Sequence, residues 1–396
     1  MSAPREPSAL VAAAALALGA AVSLGLARFS YALLLPPMRA DLGWSYLTAG
    51  AMNTVNAAGY LVGALLVPRA LVRIDARALL LAGGAATALL LAAHGMVLAD
   101  AALYALRLAS GVASAAVFVS GGLLAARLGS AGRAGLVLGI YYGGTGLGIV
   151  VSALLVPPFA ERPLPHAWQS AWLVLALTAL LATAVTARYT RRLAAAPLAQ
   201  QAHAALRWQP FAFGLAGYGM FGLGYIGYMT FVITLLREQR LGGAQIVAFY
   251  VLLGAAVVVS SWLWAGLLQR YRGGQPLALL NGLLAVATLL PVLSAHPLAV
   301  FASGALFGAV FLSVVASTTA LVRHNLPAAS WPAGIAAFTI VFAAGQIVGP
   351  SIVGWVADSA GGLRLGFAVS AAMLALGALL ASRQKALPGG AISEHA

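Results

Sequence analysis

The sequence predicts an all-α polytopic membrane protein with twelve transmembrane helices. Of the 396 residues, 62% are hydrophobic and only 8% are charged, whereas a soluble globular chain carries about 25% charged residues. The apolar stretches are long enough to span a bilayer as helices, and they lack the short alternating segments of a β-barrel. Composition and segment length therefore indicate the same fold class.

Turn and breaker residues such as Pro36-Pro37, Gly242-Gly243 and Gly361-Gly362 separate the predicted spans. The first span is longer than the apolar core of a cleaved signal peptide, so we interpret it as an uncleaved helix. The predicted spans cover residues 9–35, 46–67, 78–98, 101–126, 134–157, 168–187, 211–235, 245–268, 276–294, 298–322, 333–357 and 364–382.

The longest connection is polar and basic and divides the chain in two. We predict an N-terminal six-helix bundle (1–187), a cytoplasmic linker (188–210), and a C-terminal six-helix bundle with a short tail (211–396). The halves repeat each other, which indicates duplication and is typical of transporters. Residues 25–31 match residues 222–228, so Tyr225 corresponds to Arg28 in the repeat. Gly144 and Gly148 likewise match Gly345 and Gly349.

Arginine counting predicts that both termini are cytoplasmic. With that orientation, fifteen of the 22 Lys and Arg residues lie inside and five outside, while Arg28 and Arg107 lie within spans. The net charge of +14 is therefore interpreted as a topology signal and not as a sign of nucleic-acid binding. Only Lys385 is a lysine, and with the high alanine content this predicts a bacterial inner-membrane protein.

Several motifs resemble those of the major facilitator superfamily. Arg107–Gly111 in the fourth span resembles the superfamily's fourth-helix arginine motif, and the glycine run of the fifth span resembles a loose fifth-helix motif. Residues 25–36, 222–231 and 345–350 are similar to the YbfB/YjiJ-type branch. The resemblance implies two six-helix bundles whose spans one, four, seven and ten line a central cavity. The loop after the second span departs from the pattern, because Val67 stands where an acid is expected.

The two arginines within spans carry the functional prediction. An arginine at the centre of a membrane helix costs about 2.5–3.5 kcal/mol on insertion scales. All eight acidic residues fall in loops, tails or span ends, so the predicted spans hold no counter-charge at depth. We therefore expect Arg28 and Arg107 to bind an organic anion, because a guanidinium fork matches a carboxylate. The alternative is that each arginine snorkels outward or caps backbone carbonyls.

Further polar and aromatic residues are candidates to complete the site. Tyr225 and Tyr228 share one face of the seventh span and match Arg28 and Tyr31, although helix packing is the alternative. Asn56 is a candidate, although a hydrogen bond to another helix is the favoured interpretation. Gln346 is a candidate to reach the cavity, and the alternative is a local hydrogen bond to backbone groups freed by Pro350. Of the adjacent Tyr141 and Tyr142, at most one can contact ligand. The predicted substrate-binding residues are Arg28, Tyr31, Asn56, Arg107, Tyr142, Tyr225, Tyr228 and Gln346.

The leading prediction is a secondary active or facilitative transporter for a small organic anion, above all a carboxylate, working by alternating access. The alternative is an efflux pump for lipophilic drugs, and a non-transporting receptor is a third interpretation. The chain has no cysteine, no histidine pair at metal spacing and no Walker-type phosphate loop. We therefore expect no enzyme activity and no cofactor. The expected partners are the bilayer and an anionic small molecule, and the expected state is a monomer.

Overall fold

The computed structural model describes residues 9–128, 134–193, 207–327 and 330–387. In these ranges it contains twelve helices long and apolar enough to cross a membrane, and no β-strand, which confirms the predicted fold class. The helices are α1 Ala9–Leu42, α2 Tyr46–Leu71, α3 Ala76–His94, α4 Asp100–Leu128, α5 Gly135–Ala160, α6 Ala167–Tyr189, α7 Gln209–Glu238, α8 Gly243–Arg270, α9 Gln275–Leu293, α10 Pro297–Asn325, α11 Trp331–Ala357 and α12 Gly362–Ser382.

Eleven of these helices begin and end within a few residues of the predicted spans, and α1 is the exception. The sequence predicts an end at residue 35, before Pro36-Pro37, but the helix continues to Leu42. Transmembrane helices tolerate proline where neighbouring elements satisfy the freed backbone groups. Leu34, Leu35 and Met38 are all buried, so packing of this segment outweighs the weak helix propensity of the two prolines. The predicted linker is described only to residue 193 and from residue 207.

Charged residues distinguish the two ends of the helical assembly. The end where α1, α3, α5, α7, α9 and α11 finish carries five of the six acidic residues that the structure describes: Asp41, Asp100, Glu161, Glu238 and Asp358. We call it the acid-bearing face, and it corresponds to the predicted outside. The opposite, arginine-rich face carries Asp75 and most of the described arginines. Glu6 and Glu394 lie outside the described residues.

The middle of α1 is a π-helix. Residues Ala21–Phe29 adopt this wider form between two α-helical segments, and the Ser30 amide donates to the Gly25 carbonyl at 3.0 Å. Such segments are rare and often occur at functional sites. Side chains of other helices also bond to backbone carbonyls of this segment: the Ser114 hydroxyl donates to the Ser23 carbonyl at 2.9 Å, and the Tyr250 hydroxyl donates to the Phe29 carbonyl at 2.6 Å. The π segment thus ties α1 to α4 and α8.

Glycines set equivalent close contacts in the two parts of the chain. A Cβ atom built on Gly25 would lie 2.4 Å from the Gly148 Cα atom, so α5 can approach α1 only because both residues are glycine. On α7, a Cβ atom at Gly222 would lie 2.5 Å from the Phe342 carbonyl oxygen of α11. The glycine pairs matched in the sequence therefore serve helix packing, as small residues commonly do in membranes.

Candidate functional site

Arg28 lies near the end of the π-helical segment and is only 4% exposed. Its Nη2 atom donates to the Gln346 Oε1 atom of α11 at 2.7 Å. Its Nε atom is buried and has no hydrogen-bond partner in the described part of the chain. The guanidinium group also lies 5.8 Å from the centre of the Tyr60 ring. The positive charge is therefore held by a neutral amide and an aromatic face.

The Gln346 side-chain oxygen accepts two hydrogen bonds from different helices. Besides Arg28, the Tyr225 hydroxyl of α7 donates to it at 2.9 Å. Gln346 lies at the α7–α11 contact, where a Cβ atom at Gly222 would also be 3.2 Å from the backbone nitrogen of Gln346. Close packing of α7 against α11 thus places this oxygen within reach of both donors. The sequence repeat that matches Tyr225 to Arg28 brings the two side chains to one acceptor.

Arg107 on α4 has a different environment, although it is equally buried. Its Nη1 atom donates to the Ala27 carbonyl at 3.0 Å, its Nη2 atom to the Asn53 Oδ1 atom at 3.0 Å, and its Nε atom to the Met52 carbonyl at 3.4 Å. Its guanidinium carbon lies 4.6 Å from the Tyr31 ring centre. The Nε, Nη1 and Nη2 atoms of Arg107 therefore each donate to a backbone or side-chain amide oxygen of α1 or α2. This matches the backbone-capping alternative considered for the sequence.

Tyr31 and Asn56 belong to the surroundings of Arg107. The Tyr31 hydroxyl donates to the Ala49 carbonyl at 2.9 Å, and the Asn56 amide donates to the Arg107 carbonyl at 3.0 Å. Glycines again allow the approach, because a Cβ atom at Gly111 would lie 2.1 Å from the Asn56 carbonyl oxygen. These residues join α1, α2 and α4 into one hydrogen-bonded group next to the Arg28 group.

The two remaining predicted residues, Tyr228 and Tyr142, do not take part in the hydrogen bonds described for the Gln346 oxygen. The Tyr228 hydroxyl shares a hydrogen bond of 2.7 Å with Ser303, and its ring stacks on Phe307 at 3.9 Å. It therefore packs α7 against α10. Tyr142 on α5 is 38% exposed and lies 5.8 Å from the Phe118 ring. Its neighbour Tyr141 is fully buried and donates to the Phe118 carbonyl, so only Tyr142 presents an accessible ring.

Tyr60 and Phe342 lie at the site but are absent from the predicted set. Tyr60 is half-buried on α2, and its hydroxyl lies within electrostatic range of Arg28, Tyr142 and Tyr225. Phe342, half-buried on α11, stacks on Tyr225 at 5.5 Å. A sequence signal existed for both, because each shares a helical face with a predicted residue: Tyr60 lies four residues after Asn56, and Phe342 four residues before Gln346.

The acidic residues lie far along the helices from this site. Asp358 at the end of α11 accepts from the Tyr46 and Leu47 amides at 2.8 and 2.9 Å. Glu238 accepts from the Tyr46 hydroxyl, and Glu161 pairs with Arg237. These contacts join helices α1–α6 to helices α7–α12 at the acid-bearing face. In the described residues, no acid faces Arg28, and no group of three potential ligands could hold a metal.

Comparison with known proteins places the chain in a family. Residues 20–382 match the family model described as "Uncharacterised MFS-type transporter YbfB". No curated protein matches the chain. Solved structures share the fold at low identity. A bacterial homologue of the human lysosomal transporter Spinster, inward-facing and unoccupied, is 11% identical with a TM-score of 0.72, and the match covers 96% of this chain and 97% of that chain.

The nucleoside transporter NupG is 14% identical with a TM-score of 0.71, and the match covers 94% of this chain and 97% of that chain. Identities this low show the fold alone. The family match spans almost all of the helical region, in agreement with the twelve helices and their glycine contacts. The chain therefore belongs to the family of uncharacterised MFS-type transporters of the YbfB type.

Proposed function

We propose that this protein moves a small organic anion, above all a carboxylate, across the membrane as a secondary active or facilitative transporter. The observation that carries the proposal is the state of Arg28. Its side chain is buried, it bonds to a neutral amide, its Nε atom is unused, and no described acid faces it. A buried charge is costly unless it is paired. An anionic substrate would supply the missing pair.

Gln346 supports this proposal because its oxygen marks where an anion would sit. Arg28 and Tyr225 converge on that single oxygen from α1 and α7. A carboxylate oxygen accepts from the same donors, and bonds to a charged acceptor are stronger than bonds to an amide. We infer that substrate displaces the Gln346 oxygen, with Tyr142 contributing at the accessible side. We assign Arg107, Tyr31 and Asn56 to positioning α1, and Tyr228 to packing.

Alternating access is part of the proposal. The contacts that join α1–α6 to α7–α12 at the acid-bearing face include hydrogen bonds made by Asp358 and Glu238 and the Glu161–Arg237 ion pair. They can break together when that face opens. Arg28 and Gln346 come from opposite parts of the chain, so binding between them would couple substrate to this movement.

The proposal includes a coupling mode and a location. Proton-coupled carriers commonly hold an acid or histidine within the membrane, and the described acids lie at helix ends. We therefore propose anion exchange, facilitated diffusion, or co-transport in which the proton travels on the substrate. We place the protein in a bacterial inner membrane as a monomer, with both termini in the cytoplasm.

The test is a binding screen on purified full-length protein. Thermal unfolding is followed with carboxylates, amino acids and lipophilic cationic drugs, in the wild type and in Arg28→Ala and Arg28→Lys. We expect at least one carboxylate to stabilise the wild type, Arg28→Ala to abolish this effect, and Arg28→Lys to restore it only in part, because lysine lacks the fork. Arg162→Ala, on an exposed loop at the acid-bearing face, is the matched control and should keep the response.

Two outcomes would overturn the proposal. One is stabilisation by an anion that survives Arg28→Ala unchanged. The other is stabilisation by lipophilic cations alone, equally in the wild type and Arg28→Ala, which would favour drug efflux. Uptake into liposomes carrying the purified protein then tests movement of the identified ligand.

A further inference from the structure

The aromatic rings beside Gln346 form a group in which most pairs are stacked nearly parallel. Tyr225 lies nearly parallel to Phe221, Phe342 and Phe311, with interplanar angles of 21°, 22° and 9° and centroid distances of 4.7, 5.5 and 6.1 Å. In contrast, Phe29 meets Phe311 at 86°. Edge-to-face and offset-stacked geometries both occur in protein cores. Tyr225, Phe221 and Phe311 are buried in this stack, whereas Phe342 on α11 is only half-buried and keeps accessible surface.

Aromatic rings also approach Arg28 from the other part of the chain. The Tyr60 ring on α2 has its centre 5.8 Å from the Arg28 guanidinium, and the Tyr60 hydroxyl lies within electrostatic range of Tyr142 and Tyr225. Tyr60 and Phe342 are half-buried, and Tyr142 is 38% exposed. These three rings therefore keep accessible surface, whereas Tyr225 and Phe221 are covered. A ligand bound to Arg28 would have ring surface on both sides.

The charges near these rings are suited to a single negative group. Arg28 retains an unused Nε atom, but Arg107 is engaged with Ala27, Met52 and Asn53. A second carboxylate placed beside Arg28 would find the Arg107 guanidinium already engaged, and burying it unpaired would be costly. The arrangement therefore favours a monoanion.

We propose that the substrate is a planar aromatic monocarboxylate, an inference that rests on the proposed anion transport. Its carboxylate would replace the Gln346 oxygen and accept from Arg28 and Tyr225. Its ring would lie between Tyr60 and Tyr142 on one side and Phe342 on the other. A carboxylate conjugated to its ring is flat, so one rigid plane satisfies both the donors and the ring faces. A saturated ring is thicker and has no π-face to stack.

The test compares benzoate with cyclohexanecarboxylate, which has the same number of heavy atoms, and with the dianion terephthalate. Binding to purified full-length protein is measured by calorimetry at neutral pH, where all three are ionised. We expect benzoate to bind about tenfold more tightly than cyclohexanecarboxylate, from aromatic contacts on two sides, and terephthalate to bind more weakly than benzoate.

Substitutions separate the ring contribution from the charge. Tyr142→Leu should reduce the benzoate preference by severalfold and leave cyclohexanecarboxylate binding nearly unchanged. Tyr271→Leu is the matched control, because Tyr271 is also 38% exposed but lies at the arginine-rich face. Arg28→Ala should abolish binding of all three compounds. Because Tyr142 is not part of the buried core, its substitution is expected to leave folding intact.

The outcomes distinguish this inference from the proposed function. Equal binding of benzoate and cyclohexanecarboxylate through Arg28 overturns the aromatic inference and leaves anion transport standing. The same conclusion follows if neither binds but another carboxylate binds through Arg28, or if Tyr142→Leu and Tyr271→Leu behave alike. Absence of Arg28-dependent binding by any carboxylate overturns both.

Discussion

Arg28 and Arg107 are two buried arginines on neighbouring helices that have opposite hydrogen-bonding states. Arg107 is 1% exposed, and its Nε, Nη1 and Nη2 atoms all donate to oxygens of α1 and α2. Arg28 is 4% exposed, its one described hydrogen bond goes to Gln346, and its Nε atom is unused. The two residues are adjacent, because Arg107 bonds to the carbonyl of Ala27.

From this difference we propose that the hydrogen-bonding state of a buried arginine, more than its burial, distinguishes a binding residue from a positioning one. The oxygens around Arg107 are mostly backbone carbonyls, which are held in place by helices and cannot be exchanged for ligand. The acceptor at Arg28 is the end of a side chain, which can move aside. In this proposal the availability of the donor atoms, and not the depth of the charge, separates the two roles. The following predictions test this separation.

The largest expected effect is the loss of stability in Arg107→Ala. Three acceptors, the Ala27 and Met52 carbonyls and the Asn53 amide oxygen, would lose a charged donor in a buried region. We expect the free energy of unfolding to fall by about 3 kcal/mol or more. Arg28→Ala should cost less than half as much, because the Gln346 oxygen keeps its bond from Tyr225.

Denaturant unfolding of the purified variants measures this difference, with the exposed-loop variant Arg162→Ala as a control expected to lie near the wild type. If Arg28→Ala were as destabilising as Arg107→Ala, the separation into a positioning and a binding arginine would be wrong.

The second effect concerns Gln346→Glu, which would place a carboxylate on Arg28 within the protein. The internal ion pair would use the donors that substrate needs, so we expect the anion affinity identified for the wild type to fall at least tenfold while thermal stability is kept or raised. Gln346→Leu is the paired variant. It removes the competing oxygen without adding charge, so anion binding should be retained. Calorimetric titration of both variants measures the contrast, and similar affinities in the two would contradict it.

The sequence predicted the fold, and it also related Arg28 to Tyr225, for identifiable reasons. Span positions follow from apolar length, and the match between Arg28 and Tyr225 follows from the repeat. The unequal state of the two arginines could not be predicted, because it depends on a π-helical segment in α1 and on the close approach of α2 to α4 at Gly111. Neither feature has a clear signature in a single sequence. The Arg28–Gln346 contact also joins residues 318 positions apart.

A third and smaller effect is expected for Tyr225→Phe. This change removes one donor from the Gln346 oxygen and from the proposed carboxylate position while keeping the stacked ring. Loss of one such hydrogen bond costs about 0.5–1.5 kcal/mol, so anion affinity should fall roughly two- to tenfold. Tyr141→Phe is the matched control, because its hydroxyl also bonds in a buried region but donates to the Phe118 carbonyl. Equal losses of affinity in the two variants would remove Tyr225 from the site.

The smallest effect extends the comparison from the site to the acid-bearing face. Asp358 on α11 accepts from the first amides of α2, so one carboxylate caps a helix from the other part of the chain. Asp75 caps α3 through the Ala78 amide, within α1–α6. Both carboxylates lie at a helix N-terminus, where a negative charge contributes about 0.3–1 kcal/mol. Of these two carboxylates, only that of Asp358 lies at the acid-bearing face, where it would oppose opening.

Because the chain contains no cysteine, a cysteine introduced as Met38→Cys, at a buried position in the acid-bearing half of α1, is the sole labelling site for a thiol reagent. Asp358→Asn should raise its labelling rate roughly two- to fivefold, the ratio that corresponds to the lost helix-terminus interaction. Asp75→Asn removes the same negative charge at the N-terminus of a helix within α1–α6, so it should leave the rate unchanged. If both substitutions raised the rate equally, general loosening would account for it. The contacts at Asp358 would then have no special part in closing the protein above Arg28.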